Sequence, residues 1–294
     1  MTENVRIVLG SVIEVFGVVL VSYFYARRFR PDFTDVIRFV TAVLVPCLVF
    51  TAILGSTVDA GEIRDATGAT LIQIGTGLLL GWIVLRMLGW QDRRELLLPA
   101  TFVNSANLPF PLLIANFGPE ALSRGVICFM VTSTAVFSVG IAILYGKTQL
   151  RTALREPVLW ATALALLCKA IDFQPPDIVL RVPHLAGQAA VPMMLVLLGE
   201  SLSRIGLSSL REAVVVLIVR YGSGLLALWA TLAWIRPEGE LRRVLIVYAL
   251  LPAAVINLVL ARRVGRPSDG VASAVLLTTL ASAILLPFLL AHLR

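Results

Sequence analysis

The sequence predicts an all-α polytopic membrane protein. Ten transmembrane helices are expected as two inverted five-helix repeats, with the broken helices 4 and 9 crossing at the midplane of the bilayer. Three observations predict this fold class. The chain of 294 residues is 58% hydrophobic and 15% charged, with a mean hydropathy of +0.90. Its apolar runs reach about 20 residues, the length of a transmembrane helix. Two of these runs carry proline and asparagine at mid-depth.

Ten apolar segments qualify as membrane spans, and their connections are short enough that no domain is expected outside the membrane. The first is interpreted as a retained helix, because arginines follow it and no small-residue cleavage site does. In the sixth, Lys169 and Asp172 leave the apolar run short. The predicted spans are 5–26, 33–54, 66–88, 95–117, 121–144, 157–172, 184–202, 212–234, 241–261 and 271–292.

The fourth predicted span contains the stretch TFVNSANLPFPLLIANFG at residues 101–118, with Asn104, Asn107, Pro109 and Pro111 at mid-depth. Proline lacks a backbone N–H and clashes with the preceding turn, so a helix breaks or kinks there. Non-helical backbone is tolerated at this depth only where it is buried in protein or lines a cavity. The stretch therefore predicts a broken helix that forms a solute site, and these four residues are its candidates.

The ninth predicted span is interrupted in the same way. It reads YALLPAAVIN from Tyr248, with Pro252 and Asn257 as candidate site residues. Interrupted spans at corresponding positions of two halves are a sequence indication of a secondary transporter built from repeats. We expect the unwound stretches, around 105–111 and 250–257, to approach and cross each other.

A short motif in the third span recurs in the eighth. Residues 75–82 read GTGLLLGW and residues 222–229 read GSGLLALW, at an offset of 147 residues. Pro46 in the second span corresponds to Pro192 in the seventh at nearly the same offset. Each half then has five helices, and an odd number makes the second half run opposite to the first.

Basic residues predict the orientation, because cytoplasmic loops carry an excess of lysine and arginine. That bias favours both termini on the periplasmic or extracellular side of a cell membrane, although Arg236, Arg242 and Arg243 then lie outside. The predicted domains are a first repeat at 1–146, a short cytoplasmic linker at 147–156 and a second repeat at 157–294. The net charge of +7 needs no nucleic-acid partner.

Ionisable residues within the spans are functional candidates. Glu14 and Glu200 are possible coupling residues that could carry a proton or cation. Glu200 could equally pair with Arg204 one turn along the helix. Arg38 and Arg220 are expected to extend their charged heads toward the membrane surface.

Several kinds of chemistry have no sequence support. The three cysteines show no paired metal spacing, so no metal site is predicted. We find no His-Glu-x-x-His, no Gly-x-Ser-x-Gly and no Walker-type phosphate loop. The sequence therefore predicts neither an enzyme nor an ATP-driven pump, and it indicates no cofactor.

Three stretches resemble the auxin efflux carrier family, the bacterial relatives of plant PIN-type carriers. They are NSANLP from Asn104 to Pro109, NFGPEAL from Asn116 to Leu122, and PMMLVLLG from Pro192 to Gly199. The resemblance extends over nearly the whole chain. It implies ten helices in inverted halves, a transport site where helices 4 and 9 cross, and a homodimer.

In PIN-type carriers an asparagine and a proline at each crossing contribute to the site. The resemblance assigns those roles to Asn107 and Pro109 in helix 4, and to Pro252 and Asn257 as the nearest equivalents in helix 9. Here Pro252 precedes its asparagine by five residues instead of following it.

The leading hypothesis is a secondary transporter of a small organic anion, such as a carboxylate or an auxin-like acid, that works by alternating access in the lipid bilayer. Neutral asparagines and helix N-termini can bind a carboxylate without a formal cation. One alternative is a sodium- or proton-coupled carrier of the bile acid symporter or sodium/proton antiporter type. The absence of acids from 101–118 and 248–265 argues against it. A non-transporting membrane sensor is the other alternative.

Overall fold

The computed structural model describes residues 3–145 and 156–293, with side chains in the first helix from Gly10 onward. Within these ranges the chain folds into helices, joined by loops and one isolated backbone bridge, which confirms the all-α class. The predicted linker 147–156 lies, apart from Glu156, outside the described residues. The helices are α1 (Glu3–Phe29), α2 (Thr34–Phe39), α3 (Val45–Leu54), α4 (Ala60–Met87), α5 (Leu97–Thr101), α6 (Pro109–Phe117), α7 (Pro119–Ala135), α8 (Ile141–Tyr145), α9 (Pro157–Ala170), α10 (Asp177–Ser203), α11 (Leu210–Trp234), α12 (Gly239–Ala249), α13 (Ile256–Arg263) and α14 (Asp269–Leu293).

Seven helical stretches of the described chain are long and apolar enough to cross a membrane. Two of them contain a π-helical turn, which joins α2 to α3 and α7 to α8. The shorter apolar helix α9 occupies the sixth predicted span. The fourth and ninth predicted spans are each divided into two short helices, α5 with α6 and α12 with α13. The seven stretches are 10–29, 34–54, 60–87, 119–145, 177–203, 210–234 and 269–293.

Both interruptions lie close to the positions that the prolines predict, but their bounds differ. The first unwound stretch runs from 102 to 108, and α6 begins at Pro109. The predicted end at 111 is therefore wrong, because proline is tolerated in the first turn of a helix, where its missing N–H would have no helical partner. The second unwound stretch is 250–255, so that Asn257 already belongs to α13.

The helices pack mainly within two groups. The first group contains α1, α2–α3, α9 and α10, and the second contains α4, α7, α11, α14 and the four half-helices. Glycine permits the closest approaches in each group. Gly199 of α10 packs against the Val19 carbonyl of α1, and Gly224 of α11 packs against the Ala249 carbonyl at the end of α12. The two broken spans thus lie within the second group, beside its boundary with the first.

Candidate functional site

The two unwound stretches pair with each other through an antiparallel bridge between Val103 and Ala253. The Asn104 N–H donates to the Pro252 carbonyl at 2.8 Å, and the Ala254 N–H donates to the Phe102 carbonyl at 3.0 Å. These bonds satisfy backbone groups that the interrupted helices leave without a helical partner. The expected approach of the two breaks is therefore present in the structure.

Side chains from the surrounding helices satisfy further backbone groups of this crossing. The Tyr248 hydroxyl lies 2.7 Å from both the Ser105 carbonyl of the first break and the Gly125 carbonyl of α7, and it donates its single proton to one of them at a time. The Thr278 hydroxyl of α14 accepts the Ala253 N–H at 3.1 Å. Buried backbone without such partners would cost several kcal/mol per group in hydrocarbon. The crossing is consequently a fixed arrangement of backbone.

A cavity of about 320 Å³ lies against this crossing, on the boundary between the two helix groups. One wall comes from α2, α3, α9 and α10 of the first group, and the other from both breaks, α7 and α13. Its size is in the range of small-molecule sites. The polar lining groups come from Thr41, Asn104, Ser105, Asn107, Thr132, Ser133, Glu156 and Ser201. Most of the remaining lining is apolar, and includes Val40, Phe129, Val136, Met194, Leu197 and Val259.

Asn104 and Asn107 are the two predicted site residues that line the cavity. Asn104 is almost completely buried, and its Oδ1 accepts the Asn107 N–H at 3.2 Å, which closes a local turn. The Asn107 side chain is half-buried and makes no hydrogen bond within the described chain. An amide with free donors and acceptors at the cavity wall can bind a polar ligand group without carrying a charge.

Pro109, Pro111, Pro252 and Asn257 lie behind the cavity wall and do not line it. Pro109 and Pro111 are buried in the first turn of α6. Asn257 is fully buried, and its Nδ2 donates to the Phe102 carbonyl at 2.9 Å, across the crossing. These residues shape the break and hold it together.

The possible coupling residues are also remote from the cavity. Glu14 is exposed on the outer face of α1, and Glu200 is buried in an ion pair with Arg204. The pairing of Glu200 with Arg204, one turn along α10, is thus confirmed. The Arg204 Nη2 continues to the Pro31 carbonyl at 2.8 Å, which ties the end of α10 to the loop after α1.

Two charged residues near the crossing were missed by sequence reasoning. Glu156, directly before α9, is the one ionisable side chain among the described residues that line the cavity. The sequence did not indicate a role for it, because it lies in a connection between predicted spans. Burial raises the pKa of its carboxyl above the ordinary value. Arg220 was expected to reach the membrane surface, and this is wrong. It is fully buried and donates to carbonyls at the end of α12 and in the second break.

The cavity is also bordered by two helix N-termini. Asn107 precedes α6, and Val255 and Ile256 lie at the start of α13. The N-terminus of a helix carries partial positive charge, which favours an anion. At α6 this charge acts without free N–H groups, because Pro109 and Pro111 have none and the N–H groups beside them donate to backbone carbonyls. The apolar lining of the cavity would suit the hydrocarbon part of a ligand. Together these features suit a small amphipathic molecule with a polar or anionic head.

Comparison with known proteins agrees with a membrane transporter. A family model described as a membrane transport protein matches residues 7–149 and 141–290. An uncharacterized transporter from Methanothermobacter thermautotrophicus is 27% identical to the chain over 299 residues, which cover 96% of this chain and 93% of that protein.

Proposed function

The chain belongs to the membrane transport protein family, and from that premise we propose that it is a secondary transporter of a small organic anion that works by alternating access. The resemblance to auxin efflux carriers is confirmed by the family match. The protein is an integral membrane protein and a transporter. The nature of the substrate and the mechanism are our proposal.

One observation carries the proposal, namely the position and lining of the cavity at the crossing. A ligand there would contact the asparagines of the first break, which precede α6, the N-terminal end of α13, and the apolar wall of α3 and α10. No lysine or arginine lines the cavity within the described chain. Binding of a carboxylate would therefore rely on helix N-termini and neutral amides.

The cavity also suggests how substrate could cross the membrane. Because its two walls belong to different helix groups, movement of one group relative to the other would open the cavity on alternate sides. The protein would exchange between one state with the cavity open to one side and a second state with it open to the other. A ligand would shift this existing equilibrium. The paired breaks would remain at the centre of this movement.

We further propose the ten-helix arrangement in two inverted repeats, 1–146 and 157–294, with both termini outside the cell membrane. The seven long stretches, the short helix α9 and the two broken spans together match the ten predicted segments. The contact of the two breaks with each other supports the relation between the halves.

A proton-linked carrier is a second candidate, and Glu156 is the observation that favours it. An acid on the wall of an anion cavity opposes anion binding when it is ionised and not when it is protonated. Anion movement would then depend on proton concentration.

Uptake of labelled carboxylates into proteoliposomes tests the main proposal. The variant in which both Asn107 and Pro109 are changed to alanine should lose most of its transport. Its matched control changes Pro287, a proline inside α14 away from the cavity, to alanine. Transport by the double variant at the wild-type rate would contradict the proposed site. Absence of flux in the wild-type protein together with ligand binding would favour a sensor.

A further inference from the structure

Arg220 is a buried cation at the second break and has no carboxylate partner among the described residues. Its side chain is completely shielded from solvent in the middle of α11. Its Nη2 lies 3.1 Å from the Ala249 carbonyl and its Nε 3.4 Å from the Leu251 carbonyl, while Nη1 has no hydrogen-bond partner within residues 3–145 and 156–293. A guanidinium in this state is costly inside a membrane, which marks it as a functional candidate.

The carbonyls that Arg220 contacts lie at the C-terminal end of the half-helix α12 and just beyond it. This end carries partial negative charge, because its last carbonyls have no helical partners. Four successive carbonyls there accept hydrogen bonds from side chains of three other helices. The pairs are Gln73 with Tyr248 at 2.9 Å, Arg220 with Ala249 at 3.1 Å, Ser282 with Leu250 at 3.0 Å and Arg220 with Leu251 at 3.4 Å.

The connection from Arg220 to the cavity is short. Leu251 accepts from the guanidinium, and the next residue, Pro252, accepts from the backbone of Asn104, which lines the cavity. The C-terminal end of α12 therefore lies close behind the polar wall. Left uncompensated, its negative partial charge would oppose the two helix N-termini that border the cavity.

We propose that Arg220 determines the preference of the crossing for anions. Its charge cancels the partial negative charge at the C-terminal end of α12. The four half-helix ends at the crossing, which are the C-terminal ends of α5 and α12 and the N-terminal ends of α6 and α13, then have a net positive electrostatic effect on the cavity. This inference rests on the proposed function, since it concerns selectivity at the same site. Arg220 acts on a bound anion through the field of its charge and without contacting it.

The chain itself provides a neutral counterpart for this position. Gln73 occupies the position 147 residues earlier, the offset of the repeated motif, and it also donates to a carbonyl at the end of α12. A glutamine at position 220 could keep a hydrogen bond to the break while removing the charge. The variants Arg220→Gln and Arg220→Lys thus separate charge from hydrogen bonding.

The experiment measures binding to the purified full-length protein by calorimetry. The probes are indole-3-acetate, benzoate and succinate, each compared with its neutral amide. We expect Arg220→Gln to weaken acid binding by on the order of tenfold, the scale of the interaction between two unit charges about 10 Å apart at an effective dielectric constant of about 20. Amide binding should not change, and Arg220→Lys should keep most of the preference for acids. Arg38→Gln, an exposed arginine of α2, is the control for loss of a positive charge.

Three outcomes would overturn the inference. A folded Arg220→Gln protein could keep the wild-type ratio of acid to amide affinity, or Arg220→Lys could lose that ratio equally. Alternatively, Gln73→Ala, which removes a neutral cap from the same helix end, could itself lower the ratio of acid to amide affinity by on the order of tenfold, the effect expected for loss of a charge. This last variant remains decisive if the Arg220 variants do not fold. A wild-type protein that binds none of the acids would instead refute the proposed function.

Discussion

The Thr76 hydroxyl oxygen lies 3.3 Å from the carbonyl oxygen of Ser223, and these residues occupy the same position in the two copies of the glycine-leucine motif. They are separated by 147 residues, the offset of the repeat. Residues beside a two-fold axis contact their own equivalents. The contact therefore supports the inverted relation that we propose between the halves, with its axis passing between α4 and α11.

The glycines next to this contact give a prediction that tests the relation. A Cβ at Gly77 would stand 2.9 Å from the Thr101 Cα at the end of α5, and a Cβ at Gly224 would meet the Ala249 carbonyl at the end of α12. We expect Gly77→Ala and Gly224→Ala each to destabilise the protein by about 1–3 kcal/mol, because both force overpacking at the end of a half-helix. Thermal unfolding of the purified protein measures this.

The matched controls come from the same motif. Gly75 and Gly222 also correspond to each other, and in the part of the chain that the structure describes neither has a neighbouring atom within 4 Å of an added Cβ. Their alanine variants should unfold at or slightly above the wild-type temperature, since alanine favours a helix over glycine. Equal destabilisation by all four substitutions would argue against a packing role that the two halves share.

Loss of the Asn107 side chain should affect substrate binding, whereas loss of the Asn257 side chain should affect stability. Asn107→Ala should weaken substrate binding and leave the unfolding temperature nearly unchanged, because its half-buried amide has no partner in the described chain. Asn257→Ala should lower stability by about 0.5–1.5 kcal/mol, the net contribution of one hydrogen bond, because the buried Phe102 carbonyl keeps the Ala254 N–H as a donor. Binding and unfolding measurements on both variants test this, and a reversed pattern would contradict the assignment.

Tyr248 gives a third prediction. Its hydroxyl joins α12 to the Ser105 and Gly125 carbonyls, so Tyr248→Phe should destabilise the crossing by about 1–3 kcal/mol. Tyr25→Phe, at an exposed position of α1, is the control and should have no effect. We expect substrate affinity to fall with Tyr248→Phe, because Ser105 lines the cavity. An unchanged unfolding temperature would show that these bonds do not hold the break.

The breaks could be predicted from the sequence because their cause is local. Proline disfavours a continuous helix, and paired asparagines at lipid depth indicate a cavity or an interhelical contact. A lone proline can instead remain inside a helix, as Pro287 does in α14. The exact bounds could not be predicted, since Pro109 fits both inside an unwound stretch and at the start of α6. The pairing of Val103 with Ala253 determines where α5 ends.

The charges at the crossing could not be predicted, because their partners are created by the tertiary fold. Arg220 has acceptors at lipid depth only because α12 ends beside it and exposes free carbonyls. Its alignment with the polar Gln73 in the repeat was the signal that could have indicated an interior position. Glu156 reaches the cavity only through the placement of α9 in the first helix group, which no local pattern reports.

Glu156 predicts how substrate binding depends on pH. Burial raises the pKa of its carboxyl, so it takes up a proton at a higher pH than an exposed glutamate does. As the pH falls through that pKa, the negative charge on the cavity wall disappears and an anion should bind more tightly. Indole-3-acetate affinity, measured from about pH 8 down to about pH 5.5, where a carboxylate probe remains ionised, should therefore rise in the wild-type protein. Glu156→Gln should bind with the low-pH affinity throughout, whereas Glu14→Gln, at an exposed acid of α1, should keep the wild-type profile. If the pH dependence persists in Glu156→Gln, another group titrates, and Glu156 does not link anion binding to protons.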